Sequence, residues 1–224
     1  MKADKNIKES VLLSGLAMNV KEILISSGRS KKWVRGEMIV SEGDTCKGLS
    51  LLLCGVAAVQ KYTPAGEYST IRLLNAGDCF GEELVFAEDK RYSCMLEAVS
   101  DVELLTIPIE QFRNLMDTYP EIKERFYLVI LKRIESQDLS IMILSQKTVR
   151  QKISYYLLSL SREQKSEQVA LPVSKEVIAK LLAIPRQSFS RELSRMESEG
   201  RIKVEGRTIG IIDLPSLERE IGVV

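Results

Sequence analysis

The sequence predicts an α+β fold: an N-terminal β domain of sandwich or barrel type, a long central helix and a C-terminal winged helix-turn-helix. Three observations carry that reading. Between Trp33 and Ile107, short apolar runs are separated by glycine turns, the pattern of a β sandwich or barrel. From Pro120 to about Ser145 no glycine or proline interrupts the chain, which suits one extended helix. Beyond Ser174, two short helical patterns flank a brief break and are followed by two β-like runs, a helix-turn-helix with a hairpin behind it.

The β domain is built from "WVRGEMIV", "LSLLLCGVAAVQKY", "STIRLLNAGD", "CFGEELVF", "YSCMLEAV" and "VELLTIPI". Glycines at 36, 43, 55, 66, 77 and 81 fall where turns or close backbone approach need them. Pro108 then opens a helix-like stretch, "IEQFRNLMDTYP", since proline suits a first helical turn.

Along the central helix, Ile130, Ile134, Gln137, Ile141 and Leu144 recur at steps of 4, 3, 4 and 3. That is a heptad seam, which predicts pairing with a second helix, and a polar Gln137 within it fixes register. A symmetric homodimer follows; a single amphipathic helix packed on its own domain is the alternative. Thr148 to about Arg162 reads as another helix, with Ile153, Tyr156, Leu157 and Leu160 on one side.

Ser174 is placed to cap the next helix, which carries Val177, Ile178 and Leu181 inward. After the break at Leu182–Ile184, Phe189, Leu193 and Met196 form the buried stripe of the second helix. Arg186, Gln187, Ser190 and Arg191 fall on another face near its N-terminal end, with Arg195 a turn further. Arg pairs bidentately with guanine and Gln with adenine, and major-groove reading is done from such an N-terminal half. Ser188, Ser194 and Arg195 are candidates for phosphate contacts, which position without specifying. The hairpin about Glu205-Gly206 completes a winged helix-turn-helix and turns a merely solvated face into a candidate reader of double-stranded DNA.

Composition sets limits. The chain has 224 residues, 45% of them hydrophobic and 28% charged, with a net charge of +1. Affinity for a polyanion must therefore come from charge placement rather than bulk charge. There is no histidine, which removes Ser-His-Asp and Cys-His nucleophile systems, His-bearing zinc sites and haem on an axial His. No catalytic residue and no metal ligand set is expected, and the chain is not read as an enzyme. No apolar run approaches a membrane span, and the opening "MKADKNIKES" lacks the apolar region of a secretory signal. Cys46, Cys54, Cys79 and Cys94 show no paired short spacing, which favours a reducing, cytoplasmic setting.

In this order the two halves resemble the CRP/FNR family of bacterial transcription regulators, from about Leu16 to Asp213. The most specific pieces are "GEMIVSEGD" (36–44), "GDCFGEE" (77–83) and "SKEVIAKLLAIPRQSFSRELSRMESEGRI" (174–202). The resemblance implies a jelly-roll or β-roll sensor over residues 1–118, a dimerisation helix over 119–146 and a DNA-binding domain over 147–224. It further implies a homodimer on a pseudo-palindromic site, with RNA polymerase as a partner and a small-molecule effector in the β-roll. Arg186, Gln187, Ser190 and Arg191 occupy the family's base-reading places. The second is commonly Glu there, accepting from cytosine, so Gln187 implies a half-site that differs at that position. Ala183 stands where a turn glycine is frequent, and Pro185 where a capping Ser is frequent.

The sensing half departs further. Cyclic-AMP-binding members follow a Gly-Glu pair with an Arg-Ser pair on the phosphate. Gly81 and Glu82 match the first pair, but the second reads Tyr92-Ser93, with Arg91 one residue early. The adenine-reading Thr-Ser pair of the central helix corresponds to Gln137-Asp138. Cyclic AMP is therefore not the expected effector; a small anionic or aromatic metabolite near Gly81, Glu82, Glu83, Arg91, Tyr92 and Ser93 is. No haem or iron–sulfur cluster is expected, because His is missing and the first cysteine is Cys46. Alternatives are a cyclic-nucleotide-binding-like module that docks a protein partner, and a thiol-redox switch among the four cysteines.

Overall fold

Side chains that point alternately into two cores along two neighbouring strands organise the N-terminal domain. The computed structural model describes residues 10–62 and 68–222; Gly66 and most of the opening segment, residues 1–9, lie outside them. The chain divides into two units, 1–136 and 137–224. Among the described residues the first contains α1 (Met18–Ser26) and eight strands: β1 (Arg29–Trp33), β2 (Met38–Val40), β3 (Gly48–Cys54), β4 (Val56–Tyr62), β5 (Tyr68–Asn75), β6 (Cys79–Phe80), β7 (Met95–Ala98) and β8 (Val102–Pro108). α2 (Ile109–Thr118) and α3 (Pro120–Leu144) follow. The strands form two antiparallel four-stranded sheets, ordered β1-β8-β3-β6 and β2-β7-β4-β5.

Leu49, Leu51, Leu53, Leu105 and Ile107 share one buried cluster with Leu24, Phe112, Ile122 and Phe126 of the three helices. Leu52, Val102 and Leu104, from the same strands, belong to a second cluster with Val59, Leu74 and Leu96 of the other sheet. Successive side chains on a strand point to opposite faces. The β8–β3 pair is thus covered by helices on one side and by the second sheet on the other. That is why β3 reads as an almost unbroken apolar run and not as an alternation. Pro108 stands at the start of α2, in the N-cap position and without a side-chain cap, where the sequence places the opening of a helix. α3 runs unbroken, and the division between the two units falls inside it, after Ser136.

The second unit holds α4 (Val149–Gln164), β9 (Gln168–Ala170), α5 (Lys175–Leu181), α6 (Arg186–Ser198), β10 (Ile202–Glu205), β11 (Thr208–Ile211) and α7 (Leu214–Glu220). Its small sheet is ordered β10-β11-β9. α4 begins with a reciprocal capping box between Thr148 and Gln151. The Ser174 hydroxyl accepts from the Val177 N–H at the start of α5, the capping role the sequence assigns it. The wing turns at Gly206, φ 63°. This is an α+β protein with a β-roll, a long helix and a C-terminal winged helix-turn-helix.

Ala183, in the turn between α5 and α6, is held at φ 51°. For an L-residue that conformation costs about 1–2 kcal/mol, and glycine relieves it at about 0.4–1 kcal/mol of added unfolded-chain freedom. The mid-range balance is about 0.8 kcal/mol in favour of glycine, so Ala183→Gly is expected to raise the unfolding midpoint of the second unit by about 3–6 °C. Calorimetry on the two proteins checks this; an unchanged or lower midpoint would mean that the turn carries no strain.

Candidate nucleic-acid interface and effector pocket

α6 presents two chemically distinct faces. Phe189, Leu193 and Met196 are buried, held by the three-and-four spacing that puts them on one side of a helix. Arg186, Gln187, Ser190, Arg191, Ser194 and Arg195 are exposed, and Ser188 is half-buried. Arg191 makes no side-chain hydrogen bond or ion pair among the described residues. Arg186 reaches Glu176 of α5 at 3.6 Å, and Arg195 reaches Glu199 at 3.2 Å. Exposed pairs of this kind are worth about 0–1 kcal/mol, so these guanidiniums exchange readily onto a phosphate or a base edge.

What holds the exposed face of α6 in place was not evident in the sequence. Arg150, in the first turn of α4, donates through Nε to Glu192 of α6. Its two terminal nitrogens both reach the Glu199 carboxylate at 2.9 Å. Arg201 joins the same carboxylate at 2.9 Å and Glu220 of α7 at 3.3 Å. Arg150 beside it holds the Glu199 carboxyl below the usual carboxylate range. The Glu197 carboxylate accepts the Val204 N–H of β10 at 2.7 Å, tying the wing to the helix. Arg150 and Glu199 are far apart in the chain, so no local spacing announces the pair.

In the β-roll, Gly81 ends β6 at φ 83° and leads into a single 3₁₀ turn, Glu82–Leu84. A Cβ on Gly81 would lie 3.2 Å from both Cys46 Sγ and the Tyr92 hydroxyl, so both conformation and space require glycine. Glu82 is buried, and its Oε1 accepts from both terminal nitrogens of Arg72 at 3.1 Å. Arg133 Nε, from α3, stands 3.5 Å from the same oxygen. Burial raises the Glu82 carboxyl above its ordinary range, while the Arg72 charge pulls it back down.

Beside this group opens a small pocket with a cavity volume of about 80 Å³, partly open to solvent. Its lining is polar at Lys61, Arg72, Glu83, Ser93 and Arg133 and apolar at Val59, Ile71, Phe80 and Cys94. Of the residues singled out in the sequence, Glu83 and Ser93 line it, Glu82 lies among them as the partner of Arg72, and Gly81 shapes the turn. Two do not take part. Arg91 is exposed and bound to Asp89 at 3.2 Å. Tyr92 is turned into the core, stacked on Phe80 at a centroid distance of 5.0 Å. Neighbouring residues in an extended segment face opposite ways, which sends Tyr92 inward between the exposed Arg91 and Ser93. Gln137 and Asp138 are exposed on the part of α3 that belongs to the second unit.

Lys61, Arg72 and Arg133 were missed as pocket residues. Arg72 alone left a signal: in "STIRLLN" it takes the inward parity shared by Thr70 and Leu74, and a charge on a buried face calls for a partner.

Cys46, Cys79 and Cys94 are buried, Cys54 is half-buried, and all four are free thiols. Burial pushes the Cys79 thiol well up, with Glu82 adding to it. Burial and Glu83 raise Cys94. Thiols held protonated in this way are poor nucleophiles, which weighs against a redox switch built on them.

On α3, Ile130 is half-buried against its own domain core. Ile134, Ile141 and Leu144 are exposed, as is Gln137. Tyr127, Leu128, Leu131 and Met142 widen this exposed apolar surface beyond the five positions of the heptad. No described helix is long and apolar enough to cross a membrane.

Two family models match the chain in the order of its units: a cyclic nucleotide-binding domain over residues 30–119 and a Crp-like helix-turn-helix domain over residues 151–220. Over 212 residues the chain is 26% identical to the cyclic AMP receptor protein of Thermus thermophilus, covering 95% of this chain and 97% of that one. It is 23% identical over 219 residues to the transcriptional activator protein FnrA of Stutzerimonas stutzeri, covering 93% and 88%. A solved CRP-family transcriptional regulator, also from Thermus thermophilus, superposes with a TM-score of 0.66 at 27% identity, over 86% of this chain and 96% of that one. A CooA mutant from Carboxydothermus hydrogenoformans shares the fold with a TM-score of 0.78 at 20% identity, over 95% and 94%.

Proposed function

The chain belongs to the CRP/FNR family of transcription regulators, and from that premise we propose that it is a cytoplasmic, homodimeric, sequence-specific DNA-binding regulator controlled by a small molecule in its β-roll. One observation carries the DNA-reading part: Arg186, Gln187, Ser190 and Arg191 stand exposed together on α6, whose other face is fixed by Phe189, Leu193 and Met196. The dimer would form along the apolar face of α3. Two copies of α6 would then enter successive major grooves about 34 Å apart on a pseudo-palindromic site. RNA polymerase is the further partner this reading implies. Effector binding in the β-roll would shift the balance between arrangements of the two readers. A β-roll that only docks a protein partner leaves the exposed α6 face without a purpose, and cyclic AMP is not proposed as the effector because neither Arg91 nor Tyr92 lines the pocket.

Selection from a random duplex library with reduced, ligand-free protein tests this, repeated with small molecules from cell extract in case an activating ligand is obligatory. An enriched two-fold site is expected, with A·T preferred where Gln187 reads. A C·G requirement at that pair would contradict the role given to Gln187, and no enrichment in either arm would overturn the DNA reader. On the selected site, Arg191→Ala is expected to weaken binding by about 1–3 kcal/mol and relax preference at one base pair. An equal loss on all sequences would make Arg191 a phosphate contact.

A further inference from the structure

We propose that the pocket beside Glu82 binds a small organic carboxylate with an apolar or aromatic body, anchored by Arg72, Lys61 and Arg133. The inference rests on the reading that the effector sits in the β-roll, and it names the chemistry of that effector.

Charge comes first. Three cations, Lys61, Arg72 and Arg133, line the pocket, and two carboxylates, Glu82 and Glu83, stand with them. The group is left one negative charge short. Glu82 answers both arginines through one oxygen, while Lys61 makes no ion pair among the described residues. A monoanion balances the set; a phosphate monoester, with nearly two charges, overshoots it.

Unpartnered atoms point the same way. Arg72 Nε is buried and has no hydrogen-bond partner, although Arg72 lines the pocket. A guanidinium carries five N–H groups, and Glu82 takes one from each terminal nitrogen, so an arginine lining the pocket keeps donors suited to a carboxylate oxygen. The second Glu82 oxygen is also buried without a partner. The Arg72–Glu82 pair is therefore incompletely satisfied at the pocket wall, and a ligand oxyanion supplies the acceptor Arg72 lacks.

The apolar lining sets the rest of the ligand. Val59, Ile71, Phe80 and Cys94 offer largely apolar surface among the charged groups. Covering that surface excludes water and strengthens the ionic contacts beside it. A polar ligand body would forfeit it, so a flat ring or short aliphatic chain is the body that suits this lining.

The test measures the full-length protein without DNA, by thermal unfolding and ligand-observed NMR, with benzoate, its neutral isostere benzamide, inorganic phosphate and cyclic AMP at equal millimolar concentrations. Benzoate is expected to raise the midpoint by about 2–4 °C, and benzamide to leave it in place. Lys61→Gln, at an exposed position, keeps the fold and weakens benzoate by about fivefold. Arg72→Met abolishes the shift wherever that variant folds. No benzoate shift, an equal shift with benzamide, a larger one with phosphate or cyclic AMP, or an unchanged benzoate affinity in Lys61→Gln would each overturn the proposal. The DNA selection is independent of these ligands. A palindrome enriched without a benzoate response sinks the carboxylate pocket alone, and a benzoate response without any selected site sinks the DNA regulator alone.

Discussion

Replacing Arg72 by methionine is expected to destabilise the N-terminal unit by about 3–5 kcal/mol, the cost of breaking a buried ion pair and leaving one charge behind. The side chains of Arg72 and Glu82 are only 9% and 1% exposed, so solvent does not take over when the pair is broken. Arg133 stays near Glu82 Oε1 at 3.5 Å, but one partially exposed arginine does not replace two donors at 3.1 Å. Arg72→Met/Glu82→Leu is expected to recover most of the loss, because the pair itself contributes far less than its breaking costs. Denaturant unfolding of the wild type, the single variants and the double variant measures this as a cycle. A single variant as stable as the wild type would mean that Glu82 is already neutral in the fold.

The pH dependence of the same variant has a definite sign. Burial already lifts the Glu82 carboxyl above its ordinary range, and Arg72 is the largest influence pulling it down; without Arg72 it rises further. A carboxyl that holds its proton more tightly in the folded state is favourable below its unfolded value, about 4.3. It becomes a growing penalty as pH climbs through the folded value. The deficit of Arg72→Met should therefore shrink at about pH 5 and widen at about pH 8. A deficit equal at both would place the cost in lost packing and not in the stranded charge.

What was legible in the sequence was local. Phe189, Leu193 and Met196 repeat at helical spacing, Ser174 is a capping residue next to its own helix, and Gly206 marks the wing. Each needs only a few neighbours to be recognised, and each is where the sequence placed it. The β-roll strands were legible for the same reason, from apolar runs ended by turns. The pocket was not, because its cations converge from three distant places: Lys61 on β4, Arg72 on β5 and Arg133 on α3. Counting along one segment put Tyr92 in the phosphate place with Arg91 beside it, yet Tyr92 packs into the core and Arg91 pairs with Asp89 on the surface. The brace of Arg150 on Glu192 and Glu199 escaped in the same way. The heptad on α3 was found at its period, yet Ile130 also leans on its own domain core, since a seam read from spacing does not say which side of the helix is already covered.

Phe189→Ala is expected to cost the second unit about 3–5 kcal/mol, since truncating a buried aromatic loses both its transfer energy and the packing around the space it leaves. Phe189 is 1% exposed and lies on the face of α6 opposite the exposed arginines. Small domains hold only about 5–15 kcal/mol in total, so much of this unit's margin goes with one side chain. DNA binding should then fall together with helical circular dichroism and with the unfolding midpoint. Phe189→Leu keeps most of the buried volume and is expected to retain both. Arg191→Ala separates the two faces from the other direction: an exposed side chain without a partner, it should leave the midpoint in place while specific binding drops. If Phe189→Ala abolished DNA binding at an unchanged midpoint, Phe189 would have to contact the duplex itself, and the assignment of the two faces of α6 would be reversed. The expected order, with stability lost first at Phe189 and affinity alone lost at Arg191, follows from a single helix whose apolar stripe fixes the orientation of its reading face.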